Sequence, residues 1–232
     1  MLNIKENINI DYSKRLFEMK DVSLLYDEDK EEKTYALKGA NVSLEEGKFY
    51  GILGPSGSGK SSLLYLLSGI KTPTTGSIYY MGQDITKMND DKLSEIRLKD
   101  FGFIFQKHFL IPYLDIVSNV LVPLNSNKKE DRNKAIKLLE ELGLGNKLNK
   151  KPYELSGGQC QRVAIARALI NDPKVIFADE ITASLDHKNS KEVVEKLNEI
   201  RGKTTIVFVT HDETTIEKAD EIIRVWDGEV RR

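Results

Sequence analysis

The sequence predicts an α/β fold, a sheet of mostly buried parallel strands carrying an inserted helical lobe. Three observations predict it. Short apolar runs alternate with segments of helical spacing, from Val22 to Leu98 and again from Val175 to the C-terminus. Between about residues 107 and 168 the strand-like runs stop and only helical patterns remain. Val175–Ala178 and Thr205–Val209 are unbroken apolar runs, the pattern of strands buried on both faces.

Taken in order, Val22–Tyr26 and Gly39–Leu44 read as strands, separated by the acidic, lysine-rich loop Asp27–Lys33. Phe49–Leu53 is a short apolar strand, followed by a Gly/Ser-rich turn and then by Lys60–Ile70, where Leu63, Leu64, Leu66 and Leu67 fall at helical spacing. Gly76–Met81 reads as a strand, Asp91–Leu98 as a helix and Phe101–Phe105 as a buried strand. The middle carries helices at Val117–Leu124 and Asp131–Leu142, and a third starting near Ser156. The helix Asn189–Arg201 lies between the two apolar runs of the last third, and Asp227–Gly228 joins Ile222–Trp226 to Glu229–Arg231 as a hairpin turn.

Composition narrows the function. A chain of 232 residues with 40% hydrophobic and 31% charged residues is an ordinary globular composition, large enough to bury its own core. Lys plus Arg (35) nearly cancel Asp plus Glu (36), so net charge gives no reason to expect a nucleic-acid partner. The single cysteine, Cys160, excludes an internal disulfide and a Cys-based metal cluster, and reads as a small helical residue. No apolar stretch approaches the ~20 residues of a membrane-spanning helix, and Met1–Arg15 lacks the apolar core of a secretory signal. The expectation is a cytosolic protein whose link to any membrane runs through a partner.

Three segments carry chemistry. Gly54-Pro55-Ser56-Gly57-Ser58-Gly59-Lys60-Ser61 fits the phosphate-loop pattern G-x-x-x-x-G-K-[ST], and it follows a strand and opens a helix as that pattern requires. Its glycines let successive N–H groups turn inward toward phosphate oxygens, and the helix beginning near Lys60 adds the positive end of its dipole. Lys60 reaches the β- and γ-phosphates of such a ligand, and the Ser61 hydroxyl is suited to Mg²⁺. Val175–Glu180 is an apolar strand ending in two carboxylates at the end where α/β ligand sites lie. Asp179 is suited to hold Mg²⁺ and Glu180 to orient or deprotonate an attacking water; the bland alternative is a pair of solvated acids. Leu155-Ser156-Gly157-Gly158-Gln159 presents a Ser cap and two glycines at a helix N-terminus, either an ordinary capped helix or a second anion site. Since one nucleotide needs one phosphate loop, a second anion site implies sharing between chains.

With these segments in hand the sequence resembles the ABC-type ATPases, the nucleotide-binding subunits of ATP-binding-cassette transporters. The resemblance spans about Phe17 to Arg232, with the motifs in the family's order: the phosphate loop, Gln106, LSGGQ at Leu155–Gln159, VIFADE at Val175–Glu180, ASLD at Ala183–Asp186, and His211. It implies a P-loop NTPase core of ABC ATPase type with an antiparallel β subdomain and an inserted α-helical subdomain at about 107–168. Residues 1–16 become an N-terminal extension and 17–232 the ATPase domain.

The resemblance also implies the roles. ATP lies on Gly54–Ser61 and Ser62, with Tyr26 stacking on adenine and Tyr35 as the competing candidate. Lys60, Gln106, Glu180 and His211 form the catalytic set, and Ser61, Gln106 and Asp179 serve Mg²⁺. Ser156, Gly158 and Gln159 cover the ATP of a second copy in a head-to-tail homodimer, with Asp186 at the seam. The implied partner is a membrane-spanning permease on whose inner, cytoplasmic face the subunit sits. Phe109, Leu110, Ile111, Tyr113 and Leu114 are expected to divide between core and a groove for that partner. His108 and His187 match no motif and read as surface residues.

The sequence departs from the family in three places: Ile181 stands where a Pro is usual, Ala183-Ser184 reverses the usual order, and Cys160 follows the signature. The stretches Tyr35–Leu44, Asp90–Arg97, Phe101–Gln106 and Ile111–Leu124 are most similar to the lipoprotein-release and macrolide- or peptide-export group. The competing reading is a soluble single-cassette ATPase of the iron–sulfur assembly type.

Overall fold

The computed structural model describes residues 15–26, 34–182 and 187–231, without the side chains of 187–189. The loop expected at Asp27–Lys33, the ASLD segment with Asp186, most of the N-terminal extension, and the side chain of His187 lie outside the described residues.

Two sheets form the frame. In the first, β2 (Thr34–Glu45), β1 (Arg15–Tyr26), β4 (Thr75–Tyr80) and the two-residue β5 (Gln83–Asp84) pair antiparallel in that spatial order. In the second the order is β10 (Glu229–Arg231), β9 (Glu221–Trp226), β3 (Phe49–Leu53), β8 (Thr205–Thr210), β7 (Val175–Asp179) and β6 (Phe101–Phe105), with every pairing parallel except the terminal hairpin β9–β10.

β1 and β2 both start earlier than their apolar runs. Charged residues such as Glu18, Lys20 and Lys38 interrupt the hydrophobic signal, yet they fall on the face of an antiparallel sheet that stays open to water. Phe17, Met19 and Leu37 on the other face are buried.

Period-two alternation in β7 and β8 feeds two cores on opposite faces of the parallel sheet. Val175, Phe177, Val207 and Val209 pack toward the antiparallel sheet, with α1 (Lys60–Leu67) contributing its leucines. An aromatic cluster joins the two sheets there: Phe17 to Tyr80 at 4.9 Å, Tyr80 to Phe101 at 5.0 Å and Phe101 to Phe177 at 5.2 Å between ring centroids. Ile176, Ala178, Ile206 and Phe208 face the other way, toward α3 (Ile116–Leu121), α4 (Lys129–Glu141), α5 (Gly157–Leu169) and α6 (His187–Glu199). α2 (Asp90–Asp100) is capped by Asn89, whose side chain accepts from the Lys92 N–H, and it leads into β6.

The segment after β6 is held by two side chains. Arg167 of α5 donates to the carbonyls of His108 and Phe109, both at 2.7 Å. Asn119 of α3, fully buried, accepts from the Ile111 N–H at 2.7 Å and donates to the carbonyls of Ile111, Leu114 and Asp115. His108 is thereby drawn against α5 and is half-buried, with its Nδ1 buried and unpaired, so it is not the surface residue the sequence suggested. Burial pushes its pKa down from the ordinary value, partly offset by the Gln161 amide beside it. The apolar cluster divides as expected: Leu110 packs on the core, whereas Phe109 and Tyr113 are 60% and 73% exposed.

Candidate functional site: a phosphate loop at the strand ends

Strand register brings the candidate residues together. Ile52, Val209, Asp179 and Phe105 lie at one level across β3, β8, β7 and β6. Leu53, Thr210, Glu180 and Gln106 therefore come one step later, at the C-terminal edge, and Gly54 and His211 one step beyond that. This edge is where ligands bind in open α/β sheets.

Gly54–Gly59 bends between β3 and α1 in a path that only glycine permits at two points. A Cβ on Gly54 would lie 2.1 Å from the Val225 carbonyl oxygen. Gly59, at φ 107°, would bring a Cβ to 2.2 Å from the Ala36 carbonyl oxygen. The loop is thus fitted tightly under both sheets. It is tied to the C-terminal hairpin by the Gly228 N–H donating to the Ser58 carbonyl at 3.0 Å. Gly59 caps α1 without a side-chain bond, which leaves the first helical N–H groups for a ligand. The Ser58 hydroxyl is buried with no hydrogen-bond partner among the described residues, a further polar group awaiting one.

Lys60 is 4% exposed; it donates to the Pro55 carbonyl at 2.8 Å, and its Nζ lies 3.7 Å from Glu180 Oε1. His211 Nδ1 stands 3.9 Å from the same oxygen. Glu180 itself has φ 47°, uncommon for a non-glycine residue, and its N–H donates to the Val209 carbonyl at 3.0 Å. The chain thus turns sharply where β7 ends, carrying the Glu180 carboxylate toward Lys60 and His211. Ile181 follows fully buried against the helical core, so the departure from Pro places an apolar anchor right behind Glu180.

Asp179 is 8% exposed and receives two hydroxyls: Ser61 donates to Oδ1 at 2.9 Å and Tyr65 to Oδ2 at 2.8 Å. Burial, together with Asp179, pushes the Tyr65 phenol up to about 12. Tyr65 was not singled out from the sequence; the available signal is its position four residues after Ser61 on one helix face. Tyr26 lies at the end of β1 with its hydroxyl 3.3 Å from Ser62 Oγ, and Lys71 donates to that hydroxyl at 2.6 Å. Burial works against it, but the bonds from Lys71 and Ser62 bring the Tyr26 pKa down. Tyr35 sits on β2, 46% exposed. Gln106 is exposed just past β6.

Leu155–Gln159 stands apart from these groups. Ser156 caps α5, its hydroxyl accepting from the Gln159 N–H at 3.4 Å while Gln159 Oε1 accepts from the Ser156 N–H at 3.1 Å. Ser156 and Gly157 are exposed, and among the described residues no hydrogen bond or ion pair joins this turn to Gly54–Ser62. A cavity of about 660 Å³ opens beside Glu180 and His211, lined also by Thr182, Ser190 and Thr210; none of the phosphate-loop residues lines it.

Residues 37–183, more than half of the chain, match the ABC transporter family. The chain belongs to that family. It is 47% identical over 200 residues to the lipoprotein-releasing system ATP-binding protein LolD of Aquifex aeolicus, covering 84% of this chain and 88% of that protein. It is 41% identical over 201 residues to the macrolide export ATP-binding/permease protein MacB of Bdellovibrio bacteriovorus, covering 86% of this chain but 31% of that protein. The fold superimposes with a TM-score of 0.87, at 39% identity and over 94% and 97% of the two chains, on a dimeric post-hydrolysis state of the ATP-binding cassette MJ0796 bound to ADP and Pi. This ABC ATPase falls in the lipoprotein-release and macrolide-export group. It binds and hydrolyses ATP as a dimerising transporter subunit that works with a membrane partner. The soluble iron–sulfur assembly reading is not favoured. No helix among the described residues is long and apolar enough to cross a membrane.

Proposed function

We propose that this subunit drives export or extraction of a substrate from the inner face of the membrane, by closing two copies around two Mg·ATP and reopening on hydrolysis. The observation that supports it most is the gathering of Glu180, Gln106, Gly54 and His211 within two residues of one another along the C-terminal edge of the sheet, around a nearly buried Lys60. Lipoprotein release and macrolide export, the activities named for two relatives, favour the outward direction.

ATP lies along Gly54, Pro55, Ser56, Gly57, Ser58, Gly59, Lys60, Ser61 and Ser62, with adenine against Tyr26. Ser156, Gly158 and Gln159 of the second copy complete the site, and closed two-fold symmetry makes two such sites. Water forms a bond to the γ-phosphorus as the bond to the bridging oxygen of ADP breaks, giving ADP and phosphate. Glu180 takes the proton from that water, and His211 holds Glu180 in line. Lys60 and the loop N–H groups stabilise charge on the transferring group.

Ser61, Asp179 and Gln106 would hold Mg²⁺. The hydroxyl and carboxylate, 2.9 Å apart, are the hard oxygen donors this ion takes. Among the described residues no three His, Cys, Asp or Glu side chains gather into a metal cage, which fits an ion shared with substrate phosphates. When bound, Mg²⁺ neutralises phosphate charge.

Glu180→Gln tests the assignment. Turnover should fall by ~10²–10⁴-fold, the usual contribution of a positioned acid–base group, and an ATP-bound dimer should accumulate on size-exclusion chromatography. A variant that hydrolyses ATP at the wild-type rate removes Glu180 from its role.

A further inference from the structure

Asp179 is held from two sides by the same helix. Ser61 and Tyr65 stand four residues apart on α1, so both hydroxyls project from one face toward the end of β7. Each takes a different carboxylate oxygen, Ser61 at Oδ1 and Tyr65 at Oδ2, and the carboxylate is nearly buried. Both donors are neutral. No lysine or arginine makes an ion pair with Asp179 among the described residues, and Lys60 Nζ instead faces Glu180. The carboxylate is therefore oriented by hydroxyl donors alone, with no cationic side chain among the described residues competing for the place of a metal ion. Ser61 has a second duty on the reading above, since its oxygen is the other metal-side donor. Tyr65 has none: its ring packs beside the core formed with the antiparallel sheet, and its hydroxyl ends on Asp179.

We propose that Tyr65 is a positioning residue for the divalent cation, fixing the rotation of the Asp179 carboxylate so that Oδ1 stays beside Ser61. This rests on the reading of Asp179 as a metal-side group. Outer partners of metal-side carboxylates typically account for 10–100-fold in metal affinity, and one short hydroxyl–carboxylate bond belongs at the lower end of that range.

The test uses the full chain carrying Glu180→Gln, to prevent turnover, with ATP present and Mn²⁺ binding followed by electron paramagnetic resonance. Adding Tyr65→Phe should raise the Mn²⁺ concentration for half-saturation by about tenfold. Binding of a fluorescent ATP analogue in EDTA should not change. Tyr65→Met, which fills similar space without a donor, should give the same shift and covers the case in which Phe folds poorly. Unchanged Mn²⁺ binding in Tyr65→Phe, alongside weakened binding in Asp179→Asn, overturns the role of Tyr65 alone. Unchanged Mn²⁺ binding in Asp179→Asn overturns the metal-side reading itself. Equal loss of metal-free nucleotide binding in Tyr65→Phe assigns Tyr65 to the fold rather than the cation.

Discussion

Asn119→Ala tests whether the segment after β6 is the surface that meets the membrane partner, as the family resemblance implies. Asn119 is fully buried on α3 and makes four hydrogen bonds to the loop 111–115. The carbonyls of Ile111 and Asp115 keep backbone donors after truncation, from Leu114 and Asn119 itself. The Ile111 N–H loses its acceptor and the Leu114 carbonyl its amide donor. An orphaned buried donor costs about 1–3 kcal/mol, and the space left by the amide adds to it, so the expected loss is ~2–3 kcal/mol. At a urea m-value of ~2–3 kcal/mol/M, the unfolding midpoint falls by about 1 M. Asn119→Asp should cost more, although it keeps the acceptor. It sets an ionised carboxylate against three carbonyl oxygens, so the folded state favours the protonated acid. The extra cost should appear as pH rises through the unfolded carboxylate range and vanish in acid. Hydrogen exchange at the Ile111 amide reads the local effect. Because the segment after β6 carries the exposed Phe109 and Tyr113 and no phosphate-loop group, basal ATPase of the isolated subunit should be retained while stimulation by the membrane partner falls. An Ile111 amide that stays protected in Asn119→Ala, with an unchanged midpoint, refutes the reasoning.

Gly59→Ala should abolish nucleotide binding and lower the melting temperature, because φ 107° and a contact of 2.2 Å to the Ala36 carbonyl leave a methyl group no room; wild-type affinity by isothermal titration would contradict the loop geometry. Burial holds the His108 pKa below the ordinary histidine value of about 6.5, so below that pH the unfolded chain takes up a proton the folded chain resists, and stability drops as pH falls through the depressed folded pKa. His108→Phe should flatten the dependence of urea midpoint on pH between about 7 and 5, and an unchanged slope would exclude His108 as its source.

The elements most legible in the sequence are those buried on both faces. Phe49–Leu53 and Phe101–Phe105 match β3 and β6 end to end, because an unbroken apolar run bounded by polar residues leaves little choice of boundary. β1 and β2 were cut short because one face of their sheet meets water, and alternating charges hide the strand from a search for apolar runs. The approach of Lys60, Glu180 and His211 was implied only by family order. Composition and spacing cannot state which strands neighbour one another, and the order β3-β8-β7-β6 is what aligns these ends. Tyr65 and Asn119 are illegible in the sequence for a shared reason. Each acts through a hydrogen bond to a group distant in sequence or to bare backbone, which leaves no local pattern to read.

The contrast between the two turns rich in serine and glycine carries the case for a shared site. Around Gly54–Ser61, several polar groups pair within the chain, Lys60 with Pro55 and Glu180, Ser61 with Asp179, and the Ser58 carbonyl with the Gly228 N–H, while the Ser58 hydroxyl and the first N–H groups of α1 stay open to a ligand. Among the described residues, the turn Leu155–Gln159 has side-chain hydrogen bonds only within its own cap. Its Ser156 hydroxyl makes a single long bond of 3.4 Å within its own cap, and the turn faces solvent at the start of a 13-residue helix. A helix N-terminus concentrates partial positive charge that an anion best satisfies. Among the described residues of one copy no hydrogen bond or ion pair brings an anion to this turn, whereas the γ-phosphate that the proposed function puts on the loop of another copy has the right charge and an open side. Apart from the cap bonds between Ser156 and Gln159, little within the chain must be broken for the turn to close over that phosphate, so the differential binding that drives dimerisation depends mainly on the phosphate being there. On the function proposed above, hydrolysis removes it, and with it the reason for the two copies to stay closed.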